Sequence, residues 1–331
     1  MVKTRPNAPV AALLGFVVVA SIVVGEVAPA GLLPGPERPF EGHGNPDVRV
    51  GDPSFPRHAM GADDVLTNID APPRRLVSQS WSTDEYLYSI VPAERVVGVS
   101  GYAYQPRISN VYELARRHRP VVALDAEQVL RTDPDLVLTP AEARSDVPGL
   151  LRVAGVPVYR IYTMFPTLDS IEGHIRLVGY LSGEDARADV EARRFRAAVR
   201  RAAARKPANA PAPRVMGFGG AYSYGSETLF DDILRALGAE NVAATHGFVG
   251  YDRVTDEHIV RWNPEWIIAG ADRGLADQVR PRLLANPAIA ATTAARRGQI
   301  VVLENRVFLP LSPFTARLVE ALADALYGST S

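Results

Sequence analysis

Short apolar blocks alternate with helical stretches along most of the chain from residue 73 onward. The apolar blocks are typical of strands buried on both faces, and the stretches between them repeat apolar positions at helical spacing. In the first half, the predicted strands are residues 75–81, 95–100, 121–124, 136–139 and 156–162. A helix with Thr83 as its N-cap connects the first two strands. This alternation favours an α/β domain with a mostly parallel sheet covered by helices.

The pattern changes after residue 166, where helical periodicity takes over. Residues 168–181 form a predicted helix that ends at a Ser-Gly pair. Residues 184–206 contain no Gly or Pro, begin acidic and end basic, and predict a helix about 35 Å long at ~1.5 Å per residue. The segment PANAPAP then breaks the chain, and the alternating pattern returns with strands at 215–219, 266–269 and 299–303 and helices at 227–237 and 313–327.

One stretch of the first half is repeated in the second. EQVLRTDPDLVLTP begins at Glu127 and EHIVRWNPEWIIAG begins at Glu257, and the two align without a gap 130 positions apart. Each copy predicts a helix, a turn ending in proline and a buried strand, and the residue before the proline is expected to be extended. The chain therefore predicts two Rossmann-like lobes of similar build joined by one long backbone helix. A ligand cleft is expected between the lobes, at the carboxyl ends of the strands.

The N-terminus has the form of an export signal. Lys3 and Arg5 precede an apolar run, VAALLGFVVVASIVVG, and a small-residue pattern ends at Ala30. We therefore assign residues 1–30 to a signal peptide or an uncleaved N-terminal anchor, and expect export to the periplasm. Residues 31–72 are rich in Pro and Gly and predict a loosely packed leader. The remaining divisions are an N-terminal lobe at 73–166, linking helices at 167–207 and a C-terminal lobe at 208–331.

Composition narrows the functional classes. The formal net charge of −1 gives no basic field for nucleic acid. The chain has no cysteine, which excludes disulfides, thiolate metal sites, a cysteine nucleophile and lipidation at cysteine. We expect no resident cofactor, no protein-bound metal and no catalytic residue, and a monomer as the default.

Several segments resemble those of the substrate-binding proteins of ABC importers for vitamin B12, ferric siderophores and haem. The resemblance covers residues 74–328 and is carried by PAERVVGVS, LRTDPDLVL, GVPV, VGYLSG and LGAENVA in that order. It implies two α/β lobes on a rigid helix, and capture of a metal chelate with limited closure of the lobes. The implied partners are the permease of an ABC transporter and its ATPase subunits.

Residues just after the predicted strands are the candidates for ligand contact. Aromatic rings could stack on a flat chelate, and arginines could pair with its carboxylates. The predicted ligand-binding residues are Trp81, Tyr102, Tyr104, Arg107, Arg144, Phe165, Tyr222, Tyr224, Tyr251, Arg253, Arg273 and Phe308. The resemblance also implies acidic permease-docking residues at the tips of the lobes, for which the candidates are Glu142, Asp146, Asp272 and Asp277.

Alternatives to uptake of a siderophore or cobalamin remain open at this point. A haem-binding protein of the same family would need an axial ligand, for which Tyr102, Tyr104 and His246 are candidates. A chelatase-like enzyme would need a paired histidine and carboxylate, but Glu172 and His174 face different ways on a helix. A membrane-anchored sensor or scaffold would keep the fold without transport.

Overall fold

The computed structural model describes residues 54–118, 125–143, 145–164 and 166–328. The predicted signal and the predicted strand at 121–124 lie outside these ranges. The first half contains β1 (Arg57–Met60), β2 (Leu66–Ile69), β3 (Leu76–Ser78), α1 (Trp81–Ile90), β4 (Val96–Gly98), α2 (Tyr112–His118), α3 (Ala126–Leu130), β5 (Leu136–Pro140), α4 (Val147–Val153) and β6 (Val158–Ile161).

The linking helices are α5 (Leu168–Ser182) and α6 (Asp185–Ala203). The second half contains β7 (Arg214–Phe218), β8 (Tyr222–Tyr224), α7 (Leu229–Ala236), β9 (Glu240–Asn241), α8 (Val242–Thr245), β10 (Tyr251–Arg253), α9 (Asp256–Trp262), β11 (Trp266–Ala271), α10 (Ala276–Leu284), α11 (Pro287–Ala290), α12 (Thr293–Arg296), β12 (Ile300–Glu304), α13 (Asn305–Phe308) and α14 (Thr315–Tyr327).

Each lobe is built on its own sheet, as the sequence predicts. The N-terminal sheet has the order β4-β3-β5-β6, and all its pairs are parallel. The C-terminal sheet has the order β10-β8-β7-β11-β12, with β9 also paired to β7. Its β7, β9, β11 and β12 pairings are parallel, whereas β8 and β10 are antiparallel. The prediction of two α/β lobes with mostly parallel sheets is confirmed.

The repeated segments form equivalent units, α3–β5 and α9–β11. The prediction of an extended residue before each proline is wrong, because Asp133 has φ 49° and Asn263 has φ 42°. Both lie in the left-handed region, which Asp and Asn tolerate because their short side chains bond locally. Asn263 Oδ1 accepts hydrogen bonds from the backbone nitrogen and the hydroxyl of Thr293 at 2.8 and 3.1 Å.

The duplication extends to the way in which each unit is fastened to its sheet. Arg75, directly before β3, and Arg214, the first residue of β7, donate from the guanidinium to carbonyl oxygens of the turn at 2.5–3.2 Å. The acidic residue after each proline also bonds to this arginine. Asp135 accepts from the backbone nitrogen of Arg75 at 2.8 Å, and Glu265 accepts from that of Arg214 at 3.1 Å. The two lobes therefore share one local fold, in which an arginine and an acidic residue occupy equivalent positions.

The linking helices pack closely together. A Cβ on Gly179 of α5 would lie 2.2 Å from the Cβ of Ala188 in α6, so the glycine permits this approach. The inner face of α6 is lined by buried small residues, and α14 packs along the same helix. One continuous apolar core runs from Ala59 through both linking helices to Leu318. A shared core of this kind resists a large rotation of one lobe against the other.

Residues 54–72 differ from the loosely packed leader that the sequence predicts. They form the hairpin β1–β2, and its Arg57 is 2% exposed. The Arg57 guanidinium donates to Asp185 Oδ2 at 2.8 Å, and Thr67 Oγ1 donates to the carbonyl of Val158 at 2.9 Å. The hairpin is therefore fastened to the linking helices and to the edge strand β6. An inward arginine and strands of only four residues hide this element from periodicity.

The first predicted strand is too long at its carboxyl end. Strand β3 ends at Ser78, and Trp81 is the first residue of α1. The N-cap is Ser80 rather than Thr83, which occupies the N3 position of a capping box with it. No helix among the described residues is long and apolar enough to cross a membrane.

Candidate functional site

A cavity of about 400 Å³ lies beyond the carboxyl ends of β7 and β11, where β12 runs into α13. The C-terminal lobe supplies nearly all of the wall. The lining residues are Arg107, Phe218, Gly219, Gly220, Tyr224, Leu229, Phe230, Tyr251, Ala269, Gly270, Ala271, Asp272, Leu275, Gln278, Val279, Arg282, Leu283, Asn305, Phe308, Leu309, Pro310, Leu311 and Leu318. Its place at the strand ends agrees with the position expected for a ligand in an α/β lobe.

Aromatic rings form one wall of the cavity. The Tyr224 ring centroid lies 5.4 Å from that of Phe230, 5.4 Å from that of Tyr251 and 5.5 Å from that of Phe308. The Tyr251 and Phe308 rings meet Tyr224 edge-on at 76° and 89°, an arrangement that aromatic quadrupoles favour. Burial raises the pKa of Tyr251 to about 12 and that of Tyr224 further. Both phenols are therefore neutral at ordinary pH, and the wall is an uncharged surface.

Two glycines allow this wall to form. A Cβ on Gly217 would lie 2.4 Å from Tyr224 Cδ2 and 2.9 Å from Phe230 Cε1. A Cβ on Gly270 would lie 2.4 Å from Asn305 Oδ1 and 2.9 Å from the Phe308 ring. The strands β7 and β11 thus present bare backbone where the rings and the amide must approach.

The rim of the cavity carries a charge pair that joins the two lobes. Arg107 Nη1 of the N-terminal lobe lies 3.5 Å from Asp272 Oδ2 of the C-terminal lobe. The Asp272 side chain is 25% exposed and that of Arg107 is 69% exposed. The other carboxylate oxygen, Asp272 Oδ1, accepts a hydrogen bond from Asn305 Nδ2 at 3.0 Å. The rim therefore holds a fixed anion whose charge is balanced by a more mobile cation.

A buried polar network behind the rim also joins the lobes. Glu85 is fully buried and accepts hydrogen bonds from Trp81 Nε1 and Asn110 Nδ2, both at 2.9 Å, and from Ser312 Oγ. Asn110 also donates to the carbonyl of Arg306 at 2.8 Å. Burial raises the pKa of Glu85, while its hydrogen-bond donors oppose that shift. This network fixes the loop that carries Arg107 against the C-terminal lobe.

The structure brings only part of the predicted ligand-binding set together. Four of those residues line the cavity: Arg107, Tyr224, Tyr251 and Phe308. Two others, Arg144 and Phe165, lie outside the described residues. The other six lie elsewhere than in the cavity wall: Trp81, Tyr102, Tyr104, Tyr222, Arg253 and Arg273.

Each of these six has a structural reason for its position. Trp81 is buried in the N-terminal lobe and bonded to Glu85. Tyr104 donates its hydroxyl to the carbonyl of Ala115 at 3.1 Å, and the half-buried Tyr102 lies in the same 3-10 turn. Arg253 lies over the Tyr222 ring at 5.7 Å, on strands β10 and β8 that the sequence did not predict. Arg273 is exposed on the turn after β11.

Two of the predicted docking acids require correction. Glu142 Oε1 accepts from the backbone nitrogens of Thr163 and Met164, both at 2.6 Å, and its Oε2 is buried. Burial raises the pKa of Glu142, so its carboxyl group holds a loop in place instead of facing a partner. Asp272 lies inside the cavity rim rather than at an outer tip. Asp146 and Asp277 are exposed near the amino ends of α4 and α10, and their role stays a prediction.

Sequence reasoning missed other parts of the cavity. Asn305, Gln278 and Arg282 supply polar groups, and Phe218 and Phe230 supply apolar ones. Asn305 directly follows the last residue of β12, so the rule that selected Phe308 could have found it. Gln278 and Arg282 carried no such signal, because they do not directly follow a strand: β11 ends at Ala271, and α10 begins at Ala276.

None of the three candidate axial ligands lines the cavity. Besides the contacts of Tyr102 and Tyr104 given above, His246 lies against the Trp262 ring at 5.4 Å and its Nδ1 is 2.7 Å from the carbonyl oxygen of Val242. His174 is buried on α5, and burial lowers its pKa to about 4. The described residues also contain no cluster of three His, Cys, Asp or Glu side chains placed to hold a metal ion.

The sequence of this chain is similar to those of known proteins along most of its length. A cobalamin-binding protein of Halobacterium salinarum is 26% identical over 95% of this chain and 84% of its own length. An uncharacterized ABC transporter substrate-binding lipoprotein of Bacillus subtilis, YvrC, is 22% identical over 83% of this chain and 87% of its own length.

Two solved structures are also similar to this chain. A periplasmic heme-binding protein from Pseudomonas aeruginosa has a TM-score of 0.64 and 29% identity over 78% of this chain and 94% of its own. The periplasmic heme-binding protein RhuT from Roseiflexus sp. RS-1 has a TM-score of 0.64 and 27% identity, covering 77% of this chain and 98% of its own. These relatives are substrate-binding proteins, which confirms the prediction of a binding protein rather than an enzyme.

The family model named Periplasmic binding protein matches residues 76–307, which include both sheets, both linking helices and most of the cavity wall. The chain belongs to the periplasmic binding protein family.

Proposed function

We propose that the protein captures a metal chelate of the corrinoid type in the cavity of the C-terminal lobe and delivers it to an ABC permease. The observation that carries the proposal is the neutral aromatic wall of Tyr224, Tyr251 and Phe308 beside a charge-balanced polar rim. Such a wall accepts the flat, apolar edge of a macrocycle, and the rim supplies donors and acceptors for its polar substituents.

The relatives support the corrinoid in particular. The Halobacterium salinarum protein, named for cobalamin, matches this chain along nearly all of its length. A vitamin B12-binding protein of Yersinia pestis is 24% identical over 62% of this chain and 72% of its own. We therefore place cobalamin first among the candidate ligands, with ferric siderophores as the next chelates to test.

Haem is the second candidate, favoured by the two heme-binding structures at 27% and 29% identity. The cavity itself argues for the corrinoid over haem. A haem iron needs an axial ligand from the protein. None of Tyr102, Tyr104 and His246 lines the cavity, and burial raises the pKa of the two tyrosines that do, Tyr224 and Tyr251, which disfavours the phenolate that would bind iron.

Delivery requires a membrane partner. The name of the Bacillus subtilis relative supports an ABC permease and its ATPase subunits as partners. Asp146 and Asp277 are the exposed acids that we propose for docking, one on each lobe. We further propose that the apolar run near the N-terminus directs export and either is cleaved or anchors the protein on the periplasmic side of the inner membrane.

The test is a calorimetric titration of the full-length chain, purified in the form that an exporting bacterium produces. The panel contains cyanocobalamin, a ferric hydroxamate, a ferric catecholate and haemin, with absorbance recorded in parallel. Saturable binding of cyanocobalamin, tighter than that of the other compounds, is expected. A shifted Soret band and tighter binding with haemin would replace cobalamin by haem, and binding of none of the four would contradict the proposed function.

A further inference from the structure

The loop at residues 105–110 brings the N-terminal lobe to the C-terminal lobe at two points. At one end Asn110 is held by Glu85 and by the carbonyl of Arg306, and both contacts are shorter than 3.0 Å. At the other end Arg107 reaches the rim and faces Asp272. Among the described residues that line the cavity, Arg107 is the one contributed by the N-terminal lobe. The anchor at Asn110 therefore holds the loop from which the exposed Arg107 side chain reaches the rim.

Asp272 is held from the opposite side. Asn305, which donates to it, is 5% exposed and packs against the bare backbone of Gly270. This contact orients the Asp272 carboxylate, whose second oxygen faces Arg107. A ligand group that reaches Arg107 therefore meets the Asp272 carboxylate at the same time.

The positions of Arg107 and Asp272 have opposite effects on chelates whose edge carries carboxylates and on chelates whose edge carries carboxamides. A carboxylate on the ligand is attracted by Arg107 and repelled by Asp272, and the cation is already neutralised in the unliganded protein. A carboxamide on the ligand donates its N–H to Asp272 in a charge-assisted bond, and its carbonyl oxygen can accept from Arg107. The rim thus offers a hydrogen-bond partner to both the N–H and the carbonyl oxygen of an amide, whereas a carboxylate finds a partner in Arg107 alone.

We infer that Asp272 is a specificity-determining residue, which makes the cavity select chelates with a neutral, amide-bearing periphery over chelates that carry carboxylates. The inference rests on the proposed function and adds to it the chemical basis of the choice. It also explains the place of an acid in the rim of a cavity whose other charged lining residues, Arg107 and Arg282, are basic.

The test compares Asp272→Asn with the wild-type chain. Asparagine has nearly the same shape and can still accept from Asn305, but it releases Arg107 and removes the anion. The probes are cyanocobalamin, which carries carboxamides, and haemin, which carries two carboxylates. The quantity measured is the ratio of the two dissociation constants for each full-length chain at low ionic strength.

We expect the ratio to shift toward haemin by about tenfold in Asp272→Asn, the factor that corresponds to ~1.4 kcal/mol and lies at the lower end for a charge-assisted hydrogen bond. Arg107→Gln should move the ratio the other way, because it leaves Asp272 as an uncompensated anion. The matched control is Asp324→Asn, which breaks a comparable ion pair with Arg205 at 2.6 Å on the back of the protein and should leave the ratio unchanged.

Added salt supplies an independent readout. Because Arg107 is 69% exposed, its attraction for the haemin carboxylates in Asp272→Asn should weaken as ionic strength rises. An unchanged ratio in Asp272→Asn, with cyanocobalamin still bound, would overturn the inference and leave the proposed function standing. Tighter binding of haemin than of cyanocobalamin by the wild-type chain would also overturn it. Binding of neither probe by the wild-type chain would overturn the proposed function and the inference together.

Discussion

Replacing Glu85 by alanine should weaken the junction between the lobes more than any other single truncation of the network behind the cavity rim. The carboxylate accepts from Trp81 Nε1, from the backbone and side-chain nitrogens of Asn110, and from Ser312 Oγ. The alanine variant takes an acceptor away from all four donors, and of these only Asn110 Nδ2 keeps another partner among the described residues, the carbonyl of Arg306. Each donor left without this acceptor costs ~1–3 kcal/mol, and water entering the space offsets part of the sum, so we expect a loss of about 4 kcal/mol in the free energy of unfolding.

Glu85→Gln tests the reasoning with almost no change in shape. Its carbonyl oxygen can keep the bonds from Trp81 and Asn110, and its amide can donate to the Ser312 hydroxyl, which also accepts. We expect a loss of about 1–2 kcal/mol. Ser312→Ala removes one donor of the four and should cost about as much. The double variant Glu85→Ala/Ser312→Ala should cost less than the sum of its parts, because both changes remove the same contact.

The assay is equilibrium unfolding in urea, followed by far-ultraviolet circular dichroism on the full-length chain. Glu85→Ala should lower the midpoint far more than Glu85→Gln. Arg317→Ala is the control, because it removes an exposed bond to Asn110 at 2.8 Å from outside the network. Equal midpoints for Glu85→Ala and Arg317→Ala would refute the claim that the buried carboxylate joins the lobes.

Three further predictions concern other parts of the chain. Gly217→Ala should displace the Tyr224 ring and weaken chelate binding at least tenfold, as measured by calorimetry, and an unchanged affinity would contradict the assigned cavity wall. Burial lowers the pKa of His174 to about 4 from an unfolded value near 6.5. The contribution of neutral His174 to the free energy of unfolding is therefore complete above pH 6.5, and it is lost at ~1.4 kcal/mol per pH unit as the pH falls toward 4. Urea midpoints measured from pH 7 to pH 4.5 should therefore fall less steeply in His174→Gln. Asn263→Ala should cost about 2 kcal/mol through the left-handed backbone and the lost bonds to Thr293, whereas Asn263→Gly should cost less, and equal losses in urea unfolding would show that the backbone conformation contributes nothing.

The sequence was most informative where one signal repeats. The two copies of helix, proline turn and strand led to two lobes, and the long Gly-free segment led to α6. It was weakest for short elements. Strands β8 and β10 have three residues each, too few for alternation to stand out from a Gly-rich loop. Hairpin β1–β2 was missed because a buried arginine occupies one of its inward positions.

The cavity was predictable in position but only partly in composition. The strand-end rule selected Phe308 and Arg107 correctly as cavity residues, and it selected Trp81 only because β3 was drawn three residues too long. Glu142 follows β5 as expected, but its loop folds back so that backbone nitrogens enclose the carboxylate. Such tertiary contacts leave no trace in local sequence pattern.

Crystals of the protein grown with cyanocobalamin would show where the chelate binds, because an anomalous difference map recorded at the cobalt absorption edge locates the metal. We expect a single strong cobalt peak beside the aromatic wall of Tyr224, Tyr251 and Phe308, with the rim at Arg107 and Asp272 facing the edge of the macrocycle. A peak elsewhere on the protein, or a well-ordered protein without a cobalt peak, would contradict this expectation.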